Sequence, residues 1–343
     1  MDDLKKFTLH LSLTKGIGPK VVQTLIEKYK SIDILFEEYK KGNIKTVKLV
    51  NLDIDLYIKR LQKSNISFVG FSEANYPPLL KTIPDFPLAL FYVGNSNLLL
   101  STNNISIVGT RNITAYGQKV LKDLIPTLVS KNIIVSGLAF GVDYYAHKFA
   151  IENNGQTIAV LPCSPNISIP KGNDILYKRI LDTNNLVVSE FSFPASFNSG
   201  LFPRRNRIIA GISDKTIVIE AAQKSGAIIT ANLAFDYNRE VYAVPGNINA
   251  VQSQGANNLI KGNIATLLND YSQLGDFQTT ITNELNLTPI EKSIYCAILP
   301  GPKSLEALSK ELQLDIEELS SICTNICING ILNTDTQNNI YLT

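Results

Sequence analysis

Three of the seven arginines in this chain, Arg204, Arg205 and Arg207, stand within four positions, in the run Phe202-Pro-Arg-Arg-Asn206-Arg-Ile-Ile-Ala-Gly211. The chain also has 25 lysines, which would serve a solvated helix face equally well. A guanidinium differs in offering a planar fork of five donors that matches phosphate oxygens. Like charges this close repel unless an anion or nearby acids neutralise them, so the cluster reads as an anion site. Other short runs carry compatible chemistry. Gly109-Thr110-Arg111 joins an unhindered backbone, a hydroxyl and a cation. Ser136-Gly137, Lys171, and Lys224-Ser225-Gly226 with Thr230 one turn on repeat the theme. Neither the GxGxxG dinucleotide fingerprint nor a GxxxxGK[ST] phosphate loop occurs at these turns, which argues against a standard NAD or ATP site, and no cofactor is expected.

Catalytic and metal chemistry find less support. Asp143, Glu190 and Glu220 lie near expected strand ends, but no nucleophile stands beside a base. Asp143 and His147 are four apart at a helix start, the spacing of a structural pair. The four cysteines, Cys163, Cys296, Cys323 and Cys327, lack CxxC spacing, and His10 and His147 are the only histidines. No metal site is expected.

These residues need a scaffold. Six short, apolar, β-branched runs read as strands buried on both faces: 104–109, 133–136, 157–161, 186–189, 216–220 and 241–244. Helical patterns separate them at 115–129, 142–153, 173–181, 204–210 and 228–237. Such alternation predicts a Rossmann-like, doubly wound, mostly parallel α/β sheet, on which ligands bind outside the strands' carboxyl ends. The candidate residues all follow strands, so they would gather on one edge as a channel for successive phosphates.

Three domains are expected, at 1–65, 66–280 and 281–343. Residues 1–65 hold 13 basic and 8 acidic residues, the middle 16 and 14, and the last part 3 and 8, which together leave a net charge of only +2. Bulk charge therefore cannot hold a polyanion, whereas local patches can. In the first part, Gly16-Ile-Gly18-Pro19-Lys20 before an apolar-periodic run predicts a helical hairpin, with Gly16, Gly18 and Lys20 as possible secondary phosphate contacts. The Pro-rich stretch from Asn75 to Pro87 reads as an extended strap. The last part predicts three helices and a hairpin, a winged helix. Its third helix repeats Ile316, Leu319, Ile322/Cys323 and Ile326 as a core stripe. That helix carries Asp315, Glu317 and Glu318 and no Lys or Arg, a poor fit to duplex DNA. No run approaches the ~20 apolar residues of a membrane span, and the N-terminus lacks a secretory apolar region. A reducing cytoplasm is the expected compartment.

Taken in order, GTR (109–111), SGLAFGVDYYAH (136–147), TIAVL (157–161), SE (189–190), FPRRNRIIAGIS (202–213), SGAIITA (225–231), VYAVPG (241–246) and QGANNLIKGNIA (254–265) resemble the DprA/Smf (DNA-processing A) family. The resemblance implies a Rossmann-like core that forms a homodimer and binds single-stranded DNA. It also implies delivery of that strand to the RecA recombinase during natural transformation, with no enzymatic step. Carried over, Gly109, Thr110 and Arg111 would meet one phosphate and Lys171 another. Arg205, Asn206 and Arg207 match the family's Arg-Asn-Arg, with Arg204 as an added cation and Phe202 placed to stack on a base or to seat the helix. The chain departs from the family after the third strand, where Leu161-Pro-Cys163-Ser-Pro-Asn replaces a Gly-rich turn and Ile169 stands where Tyr is common. Two other readings compete: a nucleotide hydrolase using Asp143, Glu190 or Glu220, and a sequence-specific regulator acting through the winged helix.

Overall fold

The computed structural model describes residues 2–44, 46–193, 200–274, 288–298, 301–328, 331–335 and 339–342. The chain divides into two compact units, 1–275 and 276–343.

The first unit opens with helices α1 (Asp3–Leu13), α2 (Pro19–Tyr29), α3 (Ile32–Lys40) and α4 (Ile54–Lys63). Their starts follow local rules: Asp2, Ser31 and Asp53 accept from backbone N–H groups at the starts of α1, α3 and α4, and Pro19 occupies the first turn of α2. The expected hairpin is present, with Gly16 and Gly18 in the turn before α2 and Lys20 exposed. These helices do not stand apart from the first strands of the sheet. Leu9, Ile58 and Leu61 share a core with Phe68, Ala89, Phe91 and Val93.

A nine-stranded sheet forms the body of the unit, in the order β1-β2-β6-β5-β4-β3-β7-β8-β9. Its strands are β1 (Ser67–Gly70), β2 (Ala89–Gly94), β3 (Asn104–Val108), β4 (Ile133–Ser136), β5 (Thr157–Leu161), β6 (Leu186–Ser189), β7 (Lys215–Val218), β8 (Glu240–Ala243) and β9 (Thr266–Leu267). The run from β6 to β9 is parallel; β1 and β2 add an antiparallel edge. Every residue of β3 to β6 is buried, because helices cover both faces. The six expected strands are all found, within a residue or two at their ends. The stretch read as an extended strap instead holds a helical turn and bends between β1 and β2. Short helix α5 (Pro78–Lys81) occupies it, Tyr76 Oη donates to Pro87 O at 2.7 Å, and β2 comes directly after.

Five more helices connect the strands: α6 (Ala115–Leu128), α7 (Val142–Glu152), α8 (Asp174–Asp182), α9 (Leu201–Ile212) and α10 (Gly226–Asp236), with α11 (Val251–Lys261) beyond β8. The arginine helix begins three residues earlier than expected, at Leu201, so Arg204 and Arg205 lie inside it rather than opening it. From β3 the chain winds outward through β4, β5 and β6, then returns to lay β7 on the other side of β3. The switch point is therefore the gap between the carboxyl ends of β3 and β7. Loops leaving these strands diverge there and leave a crevice.

The second unit, taken by itself, has helices α12 (Pro289–Ile298), α13 (Leu305–Leu312) and α14 (Ile316–Ile328). A three-stranded antiparallel sheet, β10 (Lys303–Ser304), β12 (Asn339–Leu342) and β11 (Leu332–Thr334), completes it. Leu319, Cys323 and Ile326 lie in its core, as the helical stripe requires.

Candidate functional site

A cavity of about 400 Å³ occupies the switch point, lined by Val108 to Arg111 after β3 and by Ala222 and Lys224 to Ala227 after β7. Phe202, Arg205, Asn206 and Ile209 of α9 form its floor, with Ala139, Asp143 and Thr230 at the sides. Nine of the expected residues meet here: Gly109, Thr110, Arg111, Phe202, Arg205, Asn206, Ser225, Gly226 and Thr230.

The β3 turn is shaped by close approach. A side chain at Gly109 would lie 2.5 Å from Val142 Cγ2 and 2.8 Å from Glu220 O, so only glycine lets this backbone pass between α7 and the β7 loop. Thr110 N donates to Glu220 O at 2.6 Å, and Val142 N donates to Thr110 O at 3.1 Å. Arg111 is exposed, its guanidinium 5.5 Å from the Phe202 ring centroid. On the facing wall Ser225 Oγ caps α10 by accepting from Ala227 N at 3.2 Å, while Thr230 Oγ1 turns back to Gly226 O at 3.3 Å. Asn206 Nδ2 ties α9 to that wall through Gly226 O at 3.2 Å. Lys224 is exposed on the rim, a cation in the loop the Gly/hydroxyl pattern pointed to but not itself among the expected contacts.

The arginine cluster does three different things. Arg205 is 5% exposed; its Nη1 donates to Gly137 O and Val160 O, and its Nε to Asn206 Oδ1 at 3.2 Å. Gly137 makes room for it, since a side chain there would collide with the Arg205 guanidinium. Gly137 thus serves as the seat of Arg205 and does not line the cavity. Arg207 points away from the cavity. Its Nη2 donates to Glu190 Oε1 at 2.5 Å and its Nη1 to Asp85 O. Arg204 is exposed and shares Glu190 Oε1 at 3.2 Å, with Phe191 beneath it at 5.4 Å. Neither Arg204 nor Arg207 is a lining residue. The repulsion inferred from the sequence is thus relieved by a carboxylate and by backbone carbonyls.

Two further residues lie off the cavity. Ser136 is fully buried and donates to Ile107 O at 2.7 Å, an internal tie between β3 and β4. Lys171 is exposed on a short turn after β5. Asn173 Nδ2 binds that turn to the β4 loop through Leu138 O at 2.9 Å and Ala139 O at 3.2 Å. Lys171 is therefore carried beside the cavity wall without entering it.

The three strand-end carboxylates are all engaged. Glu220 accepts from Thr114 N at 2.9 Å and Thr114 Oγ1 at 2.5 Å, anchoring the start of α6. Glu190 holds the two arginines. Asp143 accepts from Gly137 N at 3.2 Å and Ala139 N at 3.4 Å. Burial pushes its carboxyl above the ordinary range, against the pull of Arg205. The expected Asp143–His147 pair does not form. His147 Nδ1 bonds Thr157 Oγ1 at 2.7 Å, and burial, helped by Arg205, lowers its pKa to about 3. No cluster of three metal-binding side chains occurs among the described residues, and no helix among them is long and apolar enough to cross a membrane.

The fold and site define a class: a doubly wound, mostly parallel α/β protein with a glycine-lined, cationic crevice at its switch point. A family model described as DNA recombination-mediator protein A matches residues 67–278, and the chain belongs to that family. It is 32% identical over 321 residues to Protein Smf of Synechocystis sp., covering 89% of this chain and 78% of that one. It is 37% identical over 226 residues to the DNA processing protein DprA of Streptococcus pneumoniae, covering 64% and 77%. The X-ray structure of DprA from Streptococcus pneumoniae matches with a TM-score of 0.66 at 30% identity, over 81% of this chain and 99% of that one. DNA processing protein A from Helicobacter pylori, whose structure is described in terms of its single-stranded DNA binding mode, matches with a TM-score of 0.54 at 29% identity, over 64% and 96%.

Proposed function

We propose that this chain binds single-stranded DNA across the switch-point crevice, protects it and loads the RecA recombinase onto it during natural transformation. The observation that carries this reading is the pairing of two backbone-rich walls, Gly109-Thr110 and Ser225-Gly226, with the exposed cations Arg111 and Lys224 at their rims. Phosphates are met by N–H groups and forked or mobile cations. Bases are met without sequence preference by an aromatic face, and Phe202 supplies one at the floor. Lys171 adds a phosphate contact beside the wall, and Gly16, Gly18 and Lys20 a secondary one. Arg205 and Asn206 act by holding the floor and walls in register, whereas Arg204 and Arg207 stay outside the crevice and stabilise the fold through Glu190. The chain works as a homodimer through the Rossmann-like domain. The acidic start of α14 faces a polyanion unfavourably, so the C-terminal unit serves a contact other than duplex DNA.

The test is anisotropy of labelled oligo-dT and of a matched duplex across a salt series. The single strand binds more tightly, and log K falls with log salt at roughly 0.7 per phosphate contacted. Equal affinity for both forms, or a flat salt response, defeats the reading. Adding a RecA-type recombinase to the preformed complex tests the loading step by the rate of filament growth.

A further inference from the structure

Five of the seven arginines are occupied by protein partners. Arg179 lies 3.9 Å from Glu152 and Arg204 3.2 Å from Glu190. Arg205 donates to Gly137 and Val160 carbonyls, Arg207 to Glu190, and Arg239 to Leu79 O at 2.9 Å. Among the described residues Arg111 and Arg60 have no carboxylate or hydrogen-bond partner, and both are exposed. Each instead lies over a phenylalanine: Arg111 over Phe202 at 5.5 Å, and Arg60 over Phe193 at 4.9 Å. The first pair lines the crevice. The second repeats its construction on another part of the same unit, between α4 and the loop leaving β6.

That loop is built to hold position. Ser192 is buried, its carbonyl accepting from Ser164 Oγ and its hydroxyl bonded to Tyr57 Oη of α4. Tyr57 also packs edge-on against Phe193 at 5.3 Å. On either side of this anchor stand Phe191 and Phe193, each half-buried with a guanidinium above it, Arg204 at 5.4 Å and Arg60 at 4.9 Å. A third arginine–aromatic pair, Arg204–Phe191, stands between the two unneutralised ones, Arg111–Phe202 in the crevice and Arg60–Phe193 on α4, although Arg204 also holds Glu190. A guanidinium left unneutralised beside an aromatic face suits one unit of a single-stranded nucleic acid, with its phosphate on the cation and its base on the ring. A duplex, with its bases stacked inside, cannot use the rings.

We propose that Arg60 and Phe193 form a second contact point for a single-stranded nucleic acid, so that the strand runs from the crevice past Arg204–Phe191 onto helix α4. The proposal rests on the single-strand reading above. It also gives the N-terminal helices, with 13 basic residues against 8 acidic, a place on the path.

The experiment compares the full-length protein and Arg60→Ala on oligo-dT of about 4 and about 16 nucleotides, the range of single-strand site sizes. Arg60→Ala binds the short oligomer as the parent does and loses roughly three- to tenfold on the long one. Its salt slope on the long oligomer falls by about 0.7, one phosphate. Arg60→Lys keeps the slope. The chain contains no tryptophan, so Phe193→Trp supplies a single tryptophan, excited selectively over the tyrosines, that the long oligomer quenches and the short one does not. Identical affinities for Arg60→Ala and parent at both lengths overturn the proposal, as does an equal loss at both lengths. A lowered Tm with unchanged binding also overturns it, since the pair would then only fasten α4. If the parent binds neither oligomer, it is the single-strand reading itself that fails.

Discussion

The crevice between β3 and β7 and the seam around Glu190 employ the same residue type to opposite ends. In the crevice, Arg111 is exposed and its charge is unneutralised. At the seam, Arg207 has an 8% exposed side chain and donates to Glu190 and to Asp85 O, while Tyr237 Oη binds Asp85 Oδ1 at 2.7 Å. Arginines clustered in sequence are thus not a ligand site by virtue of clustering. What separates the two regions is whether the protein supplies the counter-charge. Where it does, the guanidinium stabilises the fold; where it does not, the guanidinium is left for an anion.

The sharpest way to break this contrast is Arg207→Ala. It leaves Glu190 largely buried without its closest cation, and unfolding stability falls by about 3 kcal/mol, the scale for removing one partner of a buried pair. Urea denaturation measures it, and the protein that remains folded keeps its affinity for oligo-dT. Loss of affinity without loss of stability would move Arg207 to the binding side.

His147 tests the buried side by pH. The folded protein keeps it neutral down to about pH 3, whereas the unfolded chain protonates a histidine near 6.5. The unfolded state therefore binds more protons between these values, and stability falls as pH falls below 6.5. The loss reaches about 2 kcal/mol at pH 5. Stability measured from pH 7 to pH 5 should decline less steeply in His147→Gln.

On the exposed side, Arg111→Ala weakens oligo-dT binding about tenfold, equivalent to about 1.4 kcal/mol, alike for all sequences and with a shallower salt slope. Its Tm stays within a degree or two of the parent, since an exposed side chain contributes little to stability. The smallest effect is expected at Lys224→Ala, roughly threefold in affinity, because a flexible ammonium on the rim acts as a single point charge. An effect of Lys224 larger than that of Arg111 would place the strand against the β7 wall rather than over Phe202.

Much of the scaffold is legible in the sequence. The six central strands are short, largely apolar, β-branched runs, the pattern that burial on both faces favours. β1 and β2 are not legible, because Ser67–Gly70 is short and β2 follows a Pro-rich stretch whose local preference is extended chain rather than pairing. The turns that line the crevice are legible in Gly109, Thr110, Ser225 and Gly226, whereas Ser136-Gly137, of the same composition, serves the interior instead. The division of labour among the arginines is not. Arg205 lies one and two positions from Arg204 and Arg207 and so points away from them, to the Gly137 and Val160 carbonyls, whereas Arg204 and Arg207, three apart, share a face that meets Glu190.

The sequence alone therefore determined the class of fold and the edge of the sheet on which its glycine, hydroxyl and cationic residues collect, residue types that suit a phosphate-bearing ligand. These depend on local periodicity and on residue type, which the chain carries in every conformation. Tertiary structure alone decided which cations remain available. It brought Gly137 under Arg205, Glu190 onto Arg207, and Phe202 and Phe193 under the two unneutralised guanidiniums. Neutralisation depends on distances of a few ångströms between residues far apart in the chain, and no spacing along the sequence encodes those distances.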